Sequence, residues 1–204
     1  MQSINRQKKK AVLLLSGGLD SAALLFLLLR DQWDIQPLYV DYGQITKWGE
    51  WLAVCSLLKV AGLATIEPIV IPQVASLGRG TLVAKDAHTE KDEHFPSRNL
   101  LLITLGLMQA VRCEASNLMI GLIANTADEF PDCSETFMNR VQDVISIEYP
   151  NLILQAPLIR RSKIDLVSEA MQYGFIPELT FSCNRFSDHH CWQCSSCKDR
   201  LNTL

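Results

Sequence analysis

Short, uninterrupted apolar runs alternate along this chain with longer stretches whose apolar residues recur at helical spacing. Ala11–Leu15 is the first run, and its lack of alternation predicts a strand covered on both faces. A turn through residues 16–21 leads into a helix over Asp20–Asp31. Ile35–Tyr42 predicts a second strand, Lys47–Ala61 a helix stopped by Gly62, and Ala64–Ile71 a third strand closed by Pro72. Gln73–Pro96 is polar and weakly patterned, and a loop of that length in a small domain is expected to serve function or to move. Ser97–Glu114 follows as a long apolar helix. Leu118–Leu122 is a fourth strand, Ser134–Tyr149 a helix, Leu152–Leu158 a fifth strand, and Ser162–Tyr173 a helix stopped by Gly174. Strands alternating with helices imply an α/β fold, with a doubly wound, mostly parallel five-stranded sheet over residues 1–176. Residues 177–204 form a separate cysteine-rich appendage.

Composition narrows this picture only slightly. With 204 residues, 48% hydrophobic and 20% charged, the chain has the size and balance of one globular domain. A net charge of −3 gives no reason to propose nucleic acid or an anionic membrane as a partner. Lys8–Lys10 followed by AVLLLSGGLDSAALLFLLL resembles a signal peptide or a membrane span at first sight. However, Gly17, Gly18 and Asp20 interrupt it, and neither apolar half is long enough to span. A buried strand, a turn and a buried helix account for it, and a cytoplasmic location is expected.

The turn itself carries chemistry. Ser16-Gly17-Gly18-Leu19-Asp20-Ser21 lies at the carboxyl end of the first strand and opens the first helix, where parallel sheets bind ligands. Glycines let backbone amides approach an anion, the helix N-terminus adds partial positive charge, and Ser16 and Ser21 add hydroxyls. Asp20 is a candidate either to hold Mg²⁺ beside a phosphate or to cap the helix. The segment lacks the Gly-Lys-Ser/Thr of a Walker loop and the GxGxxG of a dinucleotide fold.

Of seven cysteines, Cys55, Cys113 and Cys133 are scattered, whereas Cys183, Cys191, Cys194 and Cys197 fall within fifteen residues. Overlapping CxxC pairs with a fourth thiol suit one tetrahedral Zn²⁺. Without an export signal this reading is preferred over disulfides, and nothing suggests the electron transfer of an iron–sulfur site. Four sulfurs complete a shell, so the zinc would be structural, and His189 and His190 are not needed as ligands.

SGGLDS resembles the PP-loop of the ATP pyrophosphatase superfamily, with its adenine nucleotide alpha hydrolase-like fold. Together with the four-cysteine tail, the chain resembles the 7-cyano-7-deazaguanine synthase (QueC) family. Phe95-Pro96-Ser97-Arg98-Asn99 is similar to that family's F-x-P-G-R-N segment. Pro131-Asp132-Cys133 matches its P-D-C element, and Ala156-Pro157-Leu158 with Lys163 its T-P-L…K. The similarity runs from about Val12 to Arg200.

The resemblance implies an ATP-dependent ligase that adenylates 7-carboxy-7-deazaguanine and converts it with ammonia to the nitrile. ATP, Mg²⁺ and structural Zn²⁺ are the implied cofactors, and a homodimer is the implied assembly. Arg98 and Lys163 become candidates, with Asp20, for stabilising charge on the phosphates. Both cations stand at helix starts, where a positive charge opposes the dipole unless an anion is present. Residues 16–21, Arg98 and Asn99 are expected to bind nucleotide, and Asp132 and Gln44 to bind substrate; Asp132 also has the position of a helix cap.

Departures from the family fall on the acceptor side. Thr46 stands where a histidine follows the Tyr42-Gly43-Gln44 pattern, Ser97 replaces glycine, residues 124–130 lack E-x-D-x-S-G-Y, and Asn184-Arg185-Phe186 replaces Tyr-x-Gly. A redirected acyl-adenylate, passed to a protein amine as in QueC-like proteins of anti-phage clusters, is therefore a second expectation. A nucleotide-binding protein without turnover is the third.

Overall fold

A computed structural model of the chain describes residues 8–78, 80–83, 95–123 and 130–204. Strand β1 (Lys10–Leu14) occupies the centre, paired in parallel with β2 (Asp34–Leu38) on one side and β5 (Asn117–Ile120) on the other. Strand β6 (Ile153–Gln155) pairs in parallel with β5, giving the order β2-β1-β5-β6.

The predicted second strand is broken. Its last residues form β3 (Val40–Asp41), which pairs in parallel with β4 (Ile69–Val70). The break is local, because the Ile69 amide donates to the Tyr39 carbonyl at 2.9 Å while Leu15 donates to Leu38 at 2.9 Å. Among the described residues the main sheet therefore holds four parallel strands instead of the expected five, because the third predicted strand pairs with β3 in a separate two-stranded ladder and is much shorter than Ala64–Ile71. Pro68 supplies no ladder donor and leaves only Ile69–Val70 to pair, and Pro157 trims the fifth strand in the same way.

Helices cover both faces. Side chains alternate along a strand, so Ala11, Leu13 and Leu15 face α1 (Leu19–Arg30), α2 (Lys47–Val60) and α5 (Lys163–Met171). Val12 and Leu14 face α3 (Arg98–Arg112) and α4 (Glu135–Glu148). Gly106 lets α3 lie close against the sheet, since a Cβ there would stand 2.6 Å from Leu118. Helix α1 is buried almost all round, which explains why its sequence reads as a continuous apolar run rather than a stripe. No helix among the described residues is long and apolar enough to cross a membrane.

Two sequence expectations meet the structure at the long loop and the tail. Of Gln73–Pro96, the described part includes a 3₁₀ turn over Pro72–Leu77 and the buried Thr81 and Leu82; residues 79 and 84–94, with His88 and His94, lie outside the described residues. Residues 124–129 lie outside them too. The tail adds a helix not anticipated from the sequence, α6 (Ser195–Thr203), which begins directly after Cys194.

Candidate functional site

The carboxyl ends of β1, β2 and β5 open into a cavity of about 310 Å³, the lower end of the range for small-molecule sites. The 16–21 loop forms its floor. Gly17 has φ +82°, and a Cβ there would lie 2.6 Å from the Glu50 carbonyl of α2. Only glycine satisfies both the left-handed backbone and this close approach. Gly17→Ala is therefore expected to destabilise the fold by about 1–3 kcal/mol and to weaken nucleotide binding, as read by urea unfolding and by calorimetric titration with ATP. Gly121, at the end of β5, plays a similar packing role that sequence reading missed: a Cβ there would stand 2.9 Å from the Ser21 amide.

The loop closes on itself. Ser16 N donates to Ser21 Oγ at 3.2 Å, the two hydroxyls lie 3.1 Å apart, and Gly18 N donates to Ser16 Oγ at 3.4 Å. Gly18 is the N-cap of α1 and makes no side-chain cap, so Asp20 does not serve as the cap. Asp20 instead sits in the first turn with Oδ2 3.1 Å from Lys163 Nζ, while its Oδ1 is buried without a hydrogen-bond partner. Burial pushes the Asp20 carboxyl up, and the neighbouring Lys163 opposes that shift.

Lys163 begins α5 and is joined by two carboxylates, Asp20 and Asp199. Burial works against its charge, yet the two carboxylates outweigh that and hold its pKa above the ordinary value. Arg98 begins α3, following Ser97 at φ +58°. Burial likewise disfavours its charge, and Tyr42, Asp132 and Glu50 around it more than compensate. Both cations therefore remain charged at the cavity wall, where the sequence placed them only by analogy.

The remaining predicted residues divide. Asn99 lines the cavity but spends its amide on the protein, donating to the Asp132 carbonyl at 3.3 Å and to Cys133 Sγ at 3.7 Å. Asp132 lies outside the cavity lining and faces Arg98 electrostatically. It does not cap α4: Ser134 does, accepting from Phe137 N at 3.1 Å. Gln44 is 1% exposed and fully engaged. Its Oε1 accepts from Tyr42 N at 2.9 Å, and its Nε2 donates to Glu50 Oε2 at 2.7 Å and Tyr39 Oη at 3.1 Å. Gln44 thus lines the cavity while its amide supports its neighbours.

Glu50 was missed by the sequence reading. It accepts from Gln44, Tyr39 and Thr46, lines the cavity, and has its pKa raised because burial outweighs those donors and Arg98. The signal was present: Glu50, Ala53, Val54 and Leu57 share one helical face, and the last three are buried. A carboxylate on an apolar stripe marks a buried polar network.

The cysteine tail forms one wall. Sγ atoms of Cys183, Cys191, Cys194 and Cys197 all lie within 4.8 Å of one another, and those of Cys191 and Cys197 are 3.9 Å apart. Bonds of about 2.3 Å in a tetrahedral ZnS₄ shell place sulfurs about 3.8 Å apart, so the donor set fits such a metal. Arg185 N and Phe186 N donate to Cys183 Sγ at 3.4 Å, and Cys194 N donates to Cys191 Sγ at 3.3 Å. Burial raises the Cys191 thiol, but the backbone donors of Cys194 and Gln193 bring it down to about 7, whereas burial pushes the thiols of Cys194 and Cys197 up. His190 accepts from Ser182 N at 3.1 Å and His189 pairs with Asp188, so neither joins the sulfurs. No disulfide joins the cysteines.

The tail is fastened to the loop. Phe181 N donates to the Gly17 carbonyl at 2.9 Å, and its ring packs where a Cβ on Gly49 would stand 2.7 Å away. Arg200 is buried and donates to the Pro177 carbonyl at 2.7 Å and to Thr180.

The chain is 31% identical over 205 residues to 7-cyano-7-deazaguanine synthase 1 of Desulfitobacterium hafniense (strain Y51), covering 97% of this chain and 92% of that protein. It is 31% identical over 206 residues to the 7-cyano-7-deazaguanine synthase of Methanoculleus marisnigri, covering 94% and 92%. Among solved structures, it resembles the U34-tRNA thiolase NcsA of Methanococcus maripaludis, described with its [4Fe-4S] cluster, at a TM-score of 0.53 and 13% identity. A 4-thiouridine synthetase in complex with RNA and ATP gives the same TM-score at 18% identity. These two likenesses concern the fold, and this chain spans 66% and 50% of those proteins' lengths. The sequence profile described as "Queuosine biosynthesis protein QueC" matches residues 10–204, the whole of the sheet, loop and cysteine tail, and the chain belongs to the QueC family.

Proposed function

We propose that this protein is an ATP-dependent carbon–nitrogen ligase that activates the carboxylate of 7-carboxy-7-deazaguanine by adenylation and converts it with ammonia to 7-cyano-7-deazaguanine. The observation that carries this reading is one cavity in which the 16–21 loop, Arg98 and Lys163 converge beneath the cysteine tail. It occurs in a chain whose synthase relatives match nearly its full length.

In this mechanism the carboxylate oxygen attacks the α-phosphorus of ATP, and the bond to the bridging oxygen breaks to release pyrophosphate. Ammonia then adds at the acyl carbon and AMP leaves, giving the amide. The amide oxygen then attacks the α-phosphorus of a second ATP, releasing pyrophosphate, and loss of AMP and the nitrogen-bound protons forms the nitrile. The loop amides and the start of α1 receive the phosphates, and Arg98 and Lys163 offset the charge that grows on the leaving groups. Asp20, through its unpartnered Oδ1, would hold Mg²⁺, whose contribution is neutralising phosphate charge. Gln44, Tyr39 and Thr46 hold Glu50, and the tail, whose Cys183, Cys191, Cys194 and Cys197 would hold a structural Zn²⁺, walls the site from water.

Mass spectrometry of a reaction containing the protein, Mg-ATP, 7-carboxy-7-deazaguanine and ammonium tests this. Amide followed by nitrile is the expected result. AMP without either product would instead support transfer to a protein amine, the reading favoured by Thr46 standing where the family pattern has histidine. Retention of ATP without AMP would leave a nucleotide-binding protein without turnover.

A further inference from the structure

The tail helix contributes a residue to the cavity that the cysteine motif does not explain. Asp199 lies two residues after Cys197 on α6, lines the cavity, and pairs through Oδ2 with Lys163 Nζ. The same ammonium is 3.1 Å from Asp20 Oδ2 in the first turn of α1. Lys163 is thus gripped by carboxylates from two ends of the chain, one on the loop that opens the sheet and one on the metal-binding tail.

We infer that Asp199 is a positioning residue for Lys163, through which the cysteine-bound tail becomes part of the nucleotide site. This inference rests on the ATP-binding reading above. A lysine side chain has four rotatable bonds and three donors. With Asp20 alone, the ammonium is free to swing about one anchor. Asp199 adds a second anchor from a different direction and leaves the third N–H for a phosphate oxygen. The side chain is 19% exposed, so it is already withdrawn from water before nucleotide arrives, and the entropy of ordering it is met in the fold rather than on binding. Asp199 in turn is placed by α6, whose first turn contains Cys197 and whose last turn contains the buried Arg200. The position of Lys163 therefore depends on a tail held by four thiols.

The test uses the full-length, metal-loaded protein and calorimetric titration with a Mg-bound, non-hydrolysable ATP analogue. Asp199→Asn is expected to raise the dissociation constant about tenfold, the scale of one partly exposed, charge-assisted contact. Metal content and melting temperature should stay at wild-type values, and Asp199→Glu should recover most of the affinity. In a Lys163→Ala background, Asp199→Asn should have no further effect, because the residue acts through the ammonium. Equal or tighter binding by Asp199→Asn overturns the inference while leaving the ATP-site reading intact. A similar loss in both backgrounds also overturns it, as Asp199 would then act independently of Lys163. Absence of any nucleotide binding by the wild-type protein removes both.

Discussion

Arg98→Ala is expected to lower ATP turnover by about 10²–10³-fold, the usual cost of deleting one preorganised donor to a developing anion. Arg98 is held at the start of α3, beside Tyr42 and Glu50, and it stays charged because its neighbours outweigh the penalty of burial. A cation placed there against the helix dipole is costly to maintain unless an anion comes to it. Arg98→Lys should recover only part of the loss, since a single ammonium cannot reproduce a planar fork of donors. Bound metal should be unchanged in either variant, because the four sulfurs belong to the other end of the chain. Steady-state assays of pyrophosphate release, run beside elemental analysis, check both statements. Joint loss of metal and activity would show that Arg98 supports folding instead of chemistry.

Cys194→Ser is expected to have the opposite profile, losing metal and tail structure together and taking nucleotide binding with them. Cys194 is fully buried at the N-terminal boundary of α6, a nine-residue helix of polar composition too short to stand alone. The small cluster around it consists of cysteines and Phe181, which offers little apolar area to hold the segment without metal. Binding energy of a four-thiolate zinc site, on the order of 10 kcal/mol, is then the main support of the tail. Its loss should release Phe181 from Gly17 and Gly49, and Asp199 from Lys163. Elemental analysis, circular dichroism and ATP titration provide the readouts. Helical signal from α1 to α5 should survive, because those helices bury their apolar faces against the sheet. Full nucleotide affinity in a metal-free Cys194→Ser protein would show that the tail is not part of the site.

Features written in neighbouring residues were legible before the structure. β1 reads as a strand because Ala11–Leu14 is buried on both faces, and no alternation remains to mislead. The 16–21 loop and the CxxC pairs are local motifs, whose geometry depends on residues within a few positions of each other. The alternation of strands with helices also made a parallel arrangement legible, since crossovers of this length return to the same sheet with one hand.

Tertiary structure decided what depends on distant segments meeting. Tyr39 interrupts the second strand because its carbonyl turns to a short edge strand that Pro68 limits, and no window around Tyr39 shows this. Gln44 lines the cavity, and only the fold shows that its amide atoms also hold Tyr42, Tyr39 and Glu50. Arg98 and Lys163 were found by pattern, but the carboxylates that face them, Glu50 for one and Asp20 and Asp199 for the other, lie 36 to 143 residues away in sequence. A motif specifies which side chains carry chemistry because spacing within one turn or strand is fixed by covalent geometry. Their partners, protonation and burial come from contacts across the fold, which only packing brings together.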